Sequence, residues 1–353
     1  MSRILIKNGK VFDGKAFKLS DVLIFCNKIA EIKENINETA DFIYDAKGDY
    51  VSAGFVDIHS HIFGVSSENF GTPADSSFFP FGVTAGVDAG ACQGKQNILD
   101  SFKMKSGVFV SLGFNEGKLN FDTTEKLLNN YGDKVLGIKF CLDEKSYPFC
   151  KGVHLKQAVD FAEKQGHILM VHCSNTPISM EEIVDVLRKG DIITHTYHGG
   201  VNNCLVNNFT PLKRAKEKGV ILDVGMAGHI HTDFNVLKTA VEQGFKPDTI
   251  STDLTKLSAF TRGGKYGMTL CMSVLYECGM SDEEIFKAVT VNPAKAVLKE
   301  WGSLNVGDRA DITVIALTDM PFCFDYGNTN HLSGKRTFDC KLTICDGTVV
   351  YRK

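Results

Sequence analysis

Hydrophobic positions divide this chain into three stretches. At the N-terminal end, Ile4-Leu-Ile6 leads through Asn8-Gly9 to Val11-Phe12, and Asp21-Val-Leu-Ile-Phe-Cys26 meets Asn27-Lys28 before Ile29-Ala-Glu-Ile32. Short β-branched and aromatic runs broken by Asn-Gly and Asn-Lys are hairpin signals, so residues 1–51 are expected to form a small β unit. From about residue 51 the rhythm becomes strand, loop, helix, repeated. Eight apolar runs read as strands: Phe55–Ile58, Val83–Asp88, Val108–Leu112, Val135–Phe140, Ile168–Val171, Ile192–Thr194, Val220–Val224 and Thr249–Thr252.

Between them lie amphipathic segments such as Leu155–Lys164, with apolar residues at helical spacing. Gly166 and Gly219 follow Lys-rich helix ends, where a C-capping glycine belongs. Alternating β and α units imply a parallel sheet, and eight of them over about 250 residues fit an α/β fold of the (β/α)₈ TIM-barrel type, placed here over residues 52–301. Thr290–Leu298 reads as a last helix. β character then returns at Asp311–Ile315 and Lys341–Cys345, with the turn Asp346-Gly347 before Val349-Val350. Pairing these with the N-terminal strands makes residues 1–51 and 302–353 the two parts of one small β-sandwich beside the barrel.

Composition narrows the class. With 43% hydrophobic and 23% charged residues, a 353-residue chain has ample material for a large core. A net charge of -3 with both signs interspersed argues against a nucleic-acid partner, which would favour a basic stripe. Met1-Ser-Arg-Ile-Leu-Ile-Lys lacks the apolar stretch of a signal peptide, and no uncharged apolar run approaches the ~20 residues a membrane span needs. A cytoplasmic protein without membrane contact is therefore expected. Eleven cysteines, an odd number without any C-x-x-C, suit a reducing compartment and argue against a zinc knuckle.

The chemistry lies at the strand ends. In a (β/α)₈ barrel functional residues sit at the C-terminal ends of the strands. Those positions hold His59 and His61 (strand 1), Lys139 (strand 4), His172 (strand 5), His195 (strand 6) and Asp253 (strand 8). Singly, His172 could be an ordinary loop residue and Asp253 a helix N-cap. Six such groups at equivalent positions point to a metal site. Imidazoles and a carboxylate suit Zn²⁺ and similar divalent ions. Lys139 fits only if neutralised, and carboxylation by CO₂ would make it an anionic carbamate (N6-carboxylysine) able to bridge two metals. Two such ions can share a hydroxide that attacks a carbonyl, with Asp253 as catalytic proton shuttle.

These residues resemble the amidohydrolase superfamily, specifically its binuclear branch, over nearly the whole chain. Ser52-Ala-Gly-Phe-Val-Asp-Ile-His-Ser-His61 is similar to the opening signature, with Ala53 where proline is usual. Thr290-Val-Asn-Pro-Ala294 and Gly302–Asp311 resemble the closing one. The resemblance implies that His59, His61 and Asp253 bind the more buried metal, and that carboxylated Lys139 bridges to a second metal held by His172 and His195. Residues 190–199, Asp223-Val-Gly225 and 247–253 further resemble the dihydroorotase-like deacetylases, implying cleavage of an acyl ester or amide of a small carboxylate, such as an acetylated 2-hydroxy acid or N-acyl amino acid. Family likeness also implies a homo-oligomer.

Further candidates lie on the same rim. His198 would orient substrate or cap its loop. His229 and His231, after strand 7, are candidate substrate contacts, and Arg262 is a candidate clamp for a substrate carboxylate. Cys141 reads as packing, with thiolate ligation as its alternative. The competing functions are a cyclic-amide hydrolase of the dihydroorotase or hydantoinase type, a nucleobase deaminase, and a non-catalytic barrel scaffold. Lys139 argues against the deaminase, and the full set of six ligand types argues against the scaffold.

Overall fold

The computed structural model describes the chain apart from residues 1, 67–68, 95, 145, 228–230, 262–265 and 326–330. Seven parallel strands follow one another in chain order: Phe55–Ser60, Val83–Ala91, Lys105–Leu112, Val135–Cys141, Leu169–His172, Ile192–Thr194 and Ile221–Leu222. Their solid apolar runs are explained by burial on both faces. Val108, Phe109, Val110, Ile138, Phe140, Leu169, Val171, Ile192 and Ile193 are all fully buried, as a parallel sheet covered by helices requires.

The eighth segment closes the barrel without forming a regular ladder. Thr249 bridges Asp223, the residue after the seventh strand, and Leu254 bridges Ser60 of the first. The expected strand Thr249–Thr252 is corrected to these isolated bridges. Its hydroxyls are anchored to carboxylates on both neighbours: Thr249 and Ser251 donate to Asp223, and Thr252 donates to Asp57. The backbone then turns left-handed at Asp253, with φ 48°.

Helices fill the crossovers, among them Phe121–Tyr131, Gly152–Lys164, Val206–Lys218 and Phe234–Glu242. Gly219 caps its helix at φ 72°, and Gly166 lies just past its own at the same angle, as the sequence implied. The helix expected over Thr290–Leu298 is shorter, Val291–Ala296. It is separated from Asp282–Val289 by Thr290, whose φ of -127° and ψ of -83° break the helix.

Both chain ends join one eight-stranded sheet beside the barrel. Its order is Thr348–Arg352, Thr337–Cys345, Ile312–Thr318, Tyr50–Ala53, Arg3–Phe12, Phe17–Phe25 and Lys28–Lys33, with Phe42–Asp45 also paired to Arg3–Phe12. The turns at Asn27-Lys28 and Asp346-Gly347 form the expected hairpins. Asn8-Gly9 does not: Arg3–Phe12 is one continuous strand with a bulge between Ile6 and Gly9. Asn8 adopts φ 55° while its backbone N–H donates to Asp21, and a Cβ on Gly9 would meet Val51 Cγ2 at 2.4 Å. The Asn-Gly pair thus serves close approach rather than chain reversal.

Sheet and barrel meet through aromatic rings. Phe286 packs against Phe12, Phe17, Tyr50, Phe55 and Phe338, with ring centroids 5.1–6.1 Å apart. The Tyr50 hydroxyl donates to Asp282 across the same seam. Among the described residues, no helix is long and apolar enough to cross a membrane.

Candidate metal centre

The barrel brings the six strand-end residues together at one rim, in two facing groups. His59, His61 and Asp253 offer ligand atoms within 4.8 Å of one another, and so do His172, His195 and His231. The groups touch through the rings of His59 and His195, whose centroids are 4.9 Å apart. Lys139 lies beside the first group, with Nζ 3.0 Å from His59 Nε2 and 3.5 Å from Met170 Sδ. His195 and Asp253 both sit at positive φ, 62° and 48°. That conformation is costly outside glycine, and the surrounding contacts hold it where the side chains turn into the site.

Hydrogen bonds behind the rings assign their protons. Thr194 Oγ1 donates to Asp223 Oδ2 at 2.7 Å, so at 2.6 Å it accepts from His59 Nδ1–H. Ser66 Oγ donates to Asp88 Oδ2 at 2.7 Å and likewise accepts from His61 Nδ1–H at 3.1 Å. His195 Nδ1–H donates to the Gly225 carbonyl at 2.6 Å. In all three rings Nε2 is left as a bare lone pair turned inward. Such outer partners fix tautomer and orientation in histidine metal ligands.

Lys139 Nζ can donate to His59 Nε2 at 3.0 Å, but the remaining inward-facing atoms of the first group cannot satisfy one another. His61 Nε2 lies 3.0 Å and His59 Nε2 3.4 Å from Asp253 Oδ1, an acceptor set against two acceptors. Neither Asp253 Oδ1 nor His195 Nε2 has a hydrogen-bond partner among the described residues. Burial, reinforced by neighbouring cationic groups, drives His59, His172 and His195 well below the ordinary imidazole range, so protonation does not relieve the conflict. Converging lone pairs on neutral imidazoles and a carboxylate fit a divalent cation. Burial also pulls the Lys139 amine down to about 8, with Asp253 opposing the shift.

Of the remaining candidates, His231 joins the second group. Its Nδ1 is 2.6 Å from Ser174 Oγ and its Nε2 4.0 Å from Asp253 Oδ2. His198 is buried. Its Nδ1 accepts from Gly200 N–H, which leaves an Nε2–H without a partner among the described residues, and burial holds the ring down to about 4. His229 and Arg262 lie outside the described residues. Burial raises the Cys141 thiol, which favours packing over ligation.

Pattern reading missed Thr194, Asp223, Ser66, Asp88 and Ser174. One signal was available for the carboxylates. Asp57, Asp88 and Asp223 interrupt apolar strands, and each is fully buried, a placement that is costly unless the group has hydrogen-bonding work there.

Known proteins resemble this chain in sequence and in fold. A model described as the amidohydrolase family matches residues 50–350. A deacetylase of Enterococcus faecalis is 29% identical over 337 residues, covering 89% of each chain. In structure, a dihydroorotase superposes with a TM-score of 0.86 at 24% identity, over 100% of this chain and 98% of its own. An adenine deaminase superposes with a TM-score of 0.84 at 26% identity, over 99% of both chains.

Proposed function

This chain belongs to the amidohydrolase family, and on that premise we propose a binuclear metal-dependent hydrolase that removes an acyl group, as ester or amide, from a small carboxylate. His59, His61 and Asp253 would hold one ion, and His172 and His195 the other. Lys139, carboxylated on Nζ, would face both. Its burial supports this role. Only a neutral amine adds CO₂, forming an N–C bond and releasing a proton, and a lysine held near 8 is partly neutral under physiological conditions.

When bound, divalent ions, with zinc favoured by this donor set, polarise a carbonyl oxygen and acidify water. Asp253 takes the proton of the attacking water on its carboxylate and delivers it to the departing alcohol or amine. Its Oδ2 lies 4.0 Å from both His195 Nε2 and His231 Nε2, facing the space between the two groups. The observation that carries this reading is the convergence of His59 Nε2 and His61 Nε2 on Asp253 Oδ1, with no proton between either imidazole nitrogen and the carboxylate oxygen.

The acyl substrate class rests on the similarity to the Enterococcus faecalis deacetylase. The test is metal analysis of protein purified without chelator, followed by a panel of acetyl 2-hydroxy acids, N-acetyl D- and L-amino acids, dihydroorotate and hydantoins. Two divalent ions per chain and turnover of the acyl compounds are expected. Absence of metal, with no activity gained from Zn²⁺ or Mn²⁺ plus bicarbonate, refutes the metal reading. Turnover confined to the cyclic amides replaces the substrate class, in keeping with the likeness in fold to a dihydroorotase.

A further inference from the structure

Ser174 stands between two imidazoles of the second group, and its single proton couples them. Its Oγ is 2.7 Å from His172 Nε2 and 2.6 Å from His231 Nδ1, and the residue is 1% exposed. A hydroxyl donates once and can accept twice, but accepting from both nitrogens would leave the buried Ser174 proton without an acceptor among the described residues, so it donates to one nitrogen and accepts from the other. In one arrangement His172 Nε2–H donates to Ser174, and Ser174 donates to His231 Nδ1. His172 then keeps a bare Nδ1, and the His231 proton sits on Nε2. In the other arrangement every bond reverses: His172 is protonated on Nδ1 and His231 Nε2 is bare. A neutral imidazole ligates through its unprotonated nitrogen. Ser174 therefore makes metal ligation by His172 and by His231 mutually exclusive.

The scaffold favours His172 as the ligand. It ends the strand Leu169–His172 and is held in register on both sides, opposite Cys141 and Thr194. His231 lies in the irregular segment after the seventh strand. Ligands on ladder-bonded strands keep their geometry better than those on loops.

We propose, resting on the hydrolase reading above, that His231 is a catalytic hydrogen-bond donor and that Ser174 is the positioning residue that sets its tautomer. With the proton on Nε2, His231 presents an N–H into the reaction space, 4.0 Å from Asp253 Oδ2. There it donates to the acyl oxygen as that oxygen gains negative charge, without transferring its proton. Preorganised donors of this kind act on the transition state rather than on ground-state binding.

Histidine-selective ¹⁵N labelling of the zinc-loaded wild-type enzyme reads the tautomer directly, with the His231 signals identified by their absence in His231→Gln. The expected spectrum shows His231 protonated on Nε2 and bare on Nδ1. The reverse tautomer, or loss of a metal equivalent in His231→Gln, makes His231 a ligand and overturns the proposal. In kinetics, His231→Ala should lower kcat about 10²-fold with KM little changed, as for removal of one oxyanion donor. His231→Gln, which keeps an N–H near the Nε2 position, should recover part of that loss. Ser174→Ala should keep its metal and lower kcat less than His231→Ala does. Unchanged kcat in His231→Ala also overturns the proposal. Wild-type enzyme without metal would refute the hydrolase reading itself, whereas metal with the reversed tautomer refutes only this inference.

Discussion

Replacing Thr194 by valine tests whether a relay behind the metal centre governs metal affinity. Thr194 passes the negative charge of Asp223 to the His59 ring, accepting at 2.6 Å and donating at 2.7 Å. Valine keeps the shape and removes the hydroxyl. His59, 1% exposed, then has an Nδ1–H with no acceptor. Leaving such a buried donor unpaired costs about 1–3 kcal/mol of stability. Freed to exchange tautomers, the ring also loses its fixed Nε2 lone pair. Loss of such an outer partner weakens metal binding about 10–100-fold, or about 1.4–2.7 kcal/mol. Thr249→Val is the control. Thr249 donates to the other oxygen of the same carboxylate at 2.7 Å and has no hydrogen bond to a ligand ring. It should cost similar stability and leave metal affinity unchanged. Urea unfolding of the metal-free proteins gives the first quantity, and zinc titration against a competing chromophoric chelator gives the second. Equal weakening of zinc binding in both variants, or none in Thr194→Val, would refute the relay.

Three further outcomes are expected. In the metal-free protein burial lowers the Lys139 amine to about 8. A lowered pKa enlarges the neutral fraction at any given pH, from about a tenth at pH 7 to about nine-tenths at pH 9. At fixed dissolved ¹³CO₂, the carbamate signal should therefore form faster as pH rises through that window, and a flat rate would contradict the assignment. Ser281 and Glu284 form a capping box on the helix Asp282–Val289. Ser281→Ala should lower unfolding free energy by about 0.5–2 kcal/mol with metal content unchanged. Phe286 is the hub of the rings that join sheet to barrel. Truncation to alanine should cost about 3–5 kcal/mol in denaturant unfolding, and a loss under 1 kcal/mol would show that the seam does not depend on it.

The terminal sheet bears on the site only indirectly. Its seam with the barrel runs through Tyr50 and Phe55, and Phe55 opens the strand that carries His59. Packing at the seam thus fixes the start of the strand whose other end holds the first group of ligand atoms. The reaction proposed at that end would depend on this distant packing for its geometry.

The amino-acid sequence by itself determined the parallel barrel, the pairing of the two chain ends and the six strand-end residues. Each of these is written in local periodicity. A solid apolar run makes a buried strand, and the residue closing it must appear at the rim. Where local rules misled, a distant contact had intervened: Val51 against Gly9 turned a hairpin signal into a bulge, and Asp57 and Asp223 anchored the eighth segment by its side chains. Only the tertiary structure decided which nitrogen of each imidazole carries the proton. Those protons are placed by His59 with Thr194, His195 with the Gly225 carbonyl, and Ser174 with His231. These partners are separated by 135, 30 and 57 residues in the chain. A hydrogen bond depends on tenths of an ångström between groups that no sequence period relates. The chain therefore announces its candidate ligands in one dimension, while the placement of their protons is settled in three.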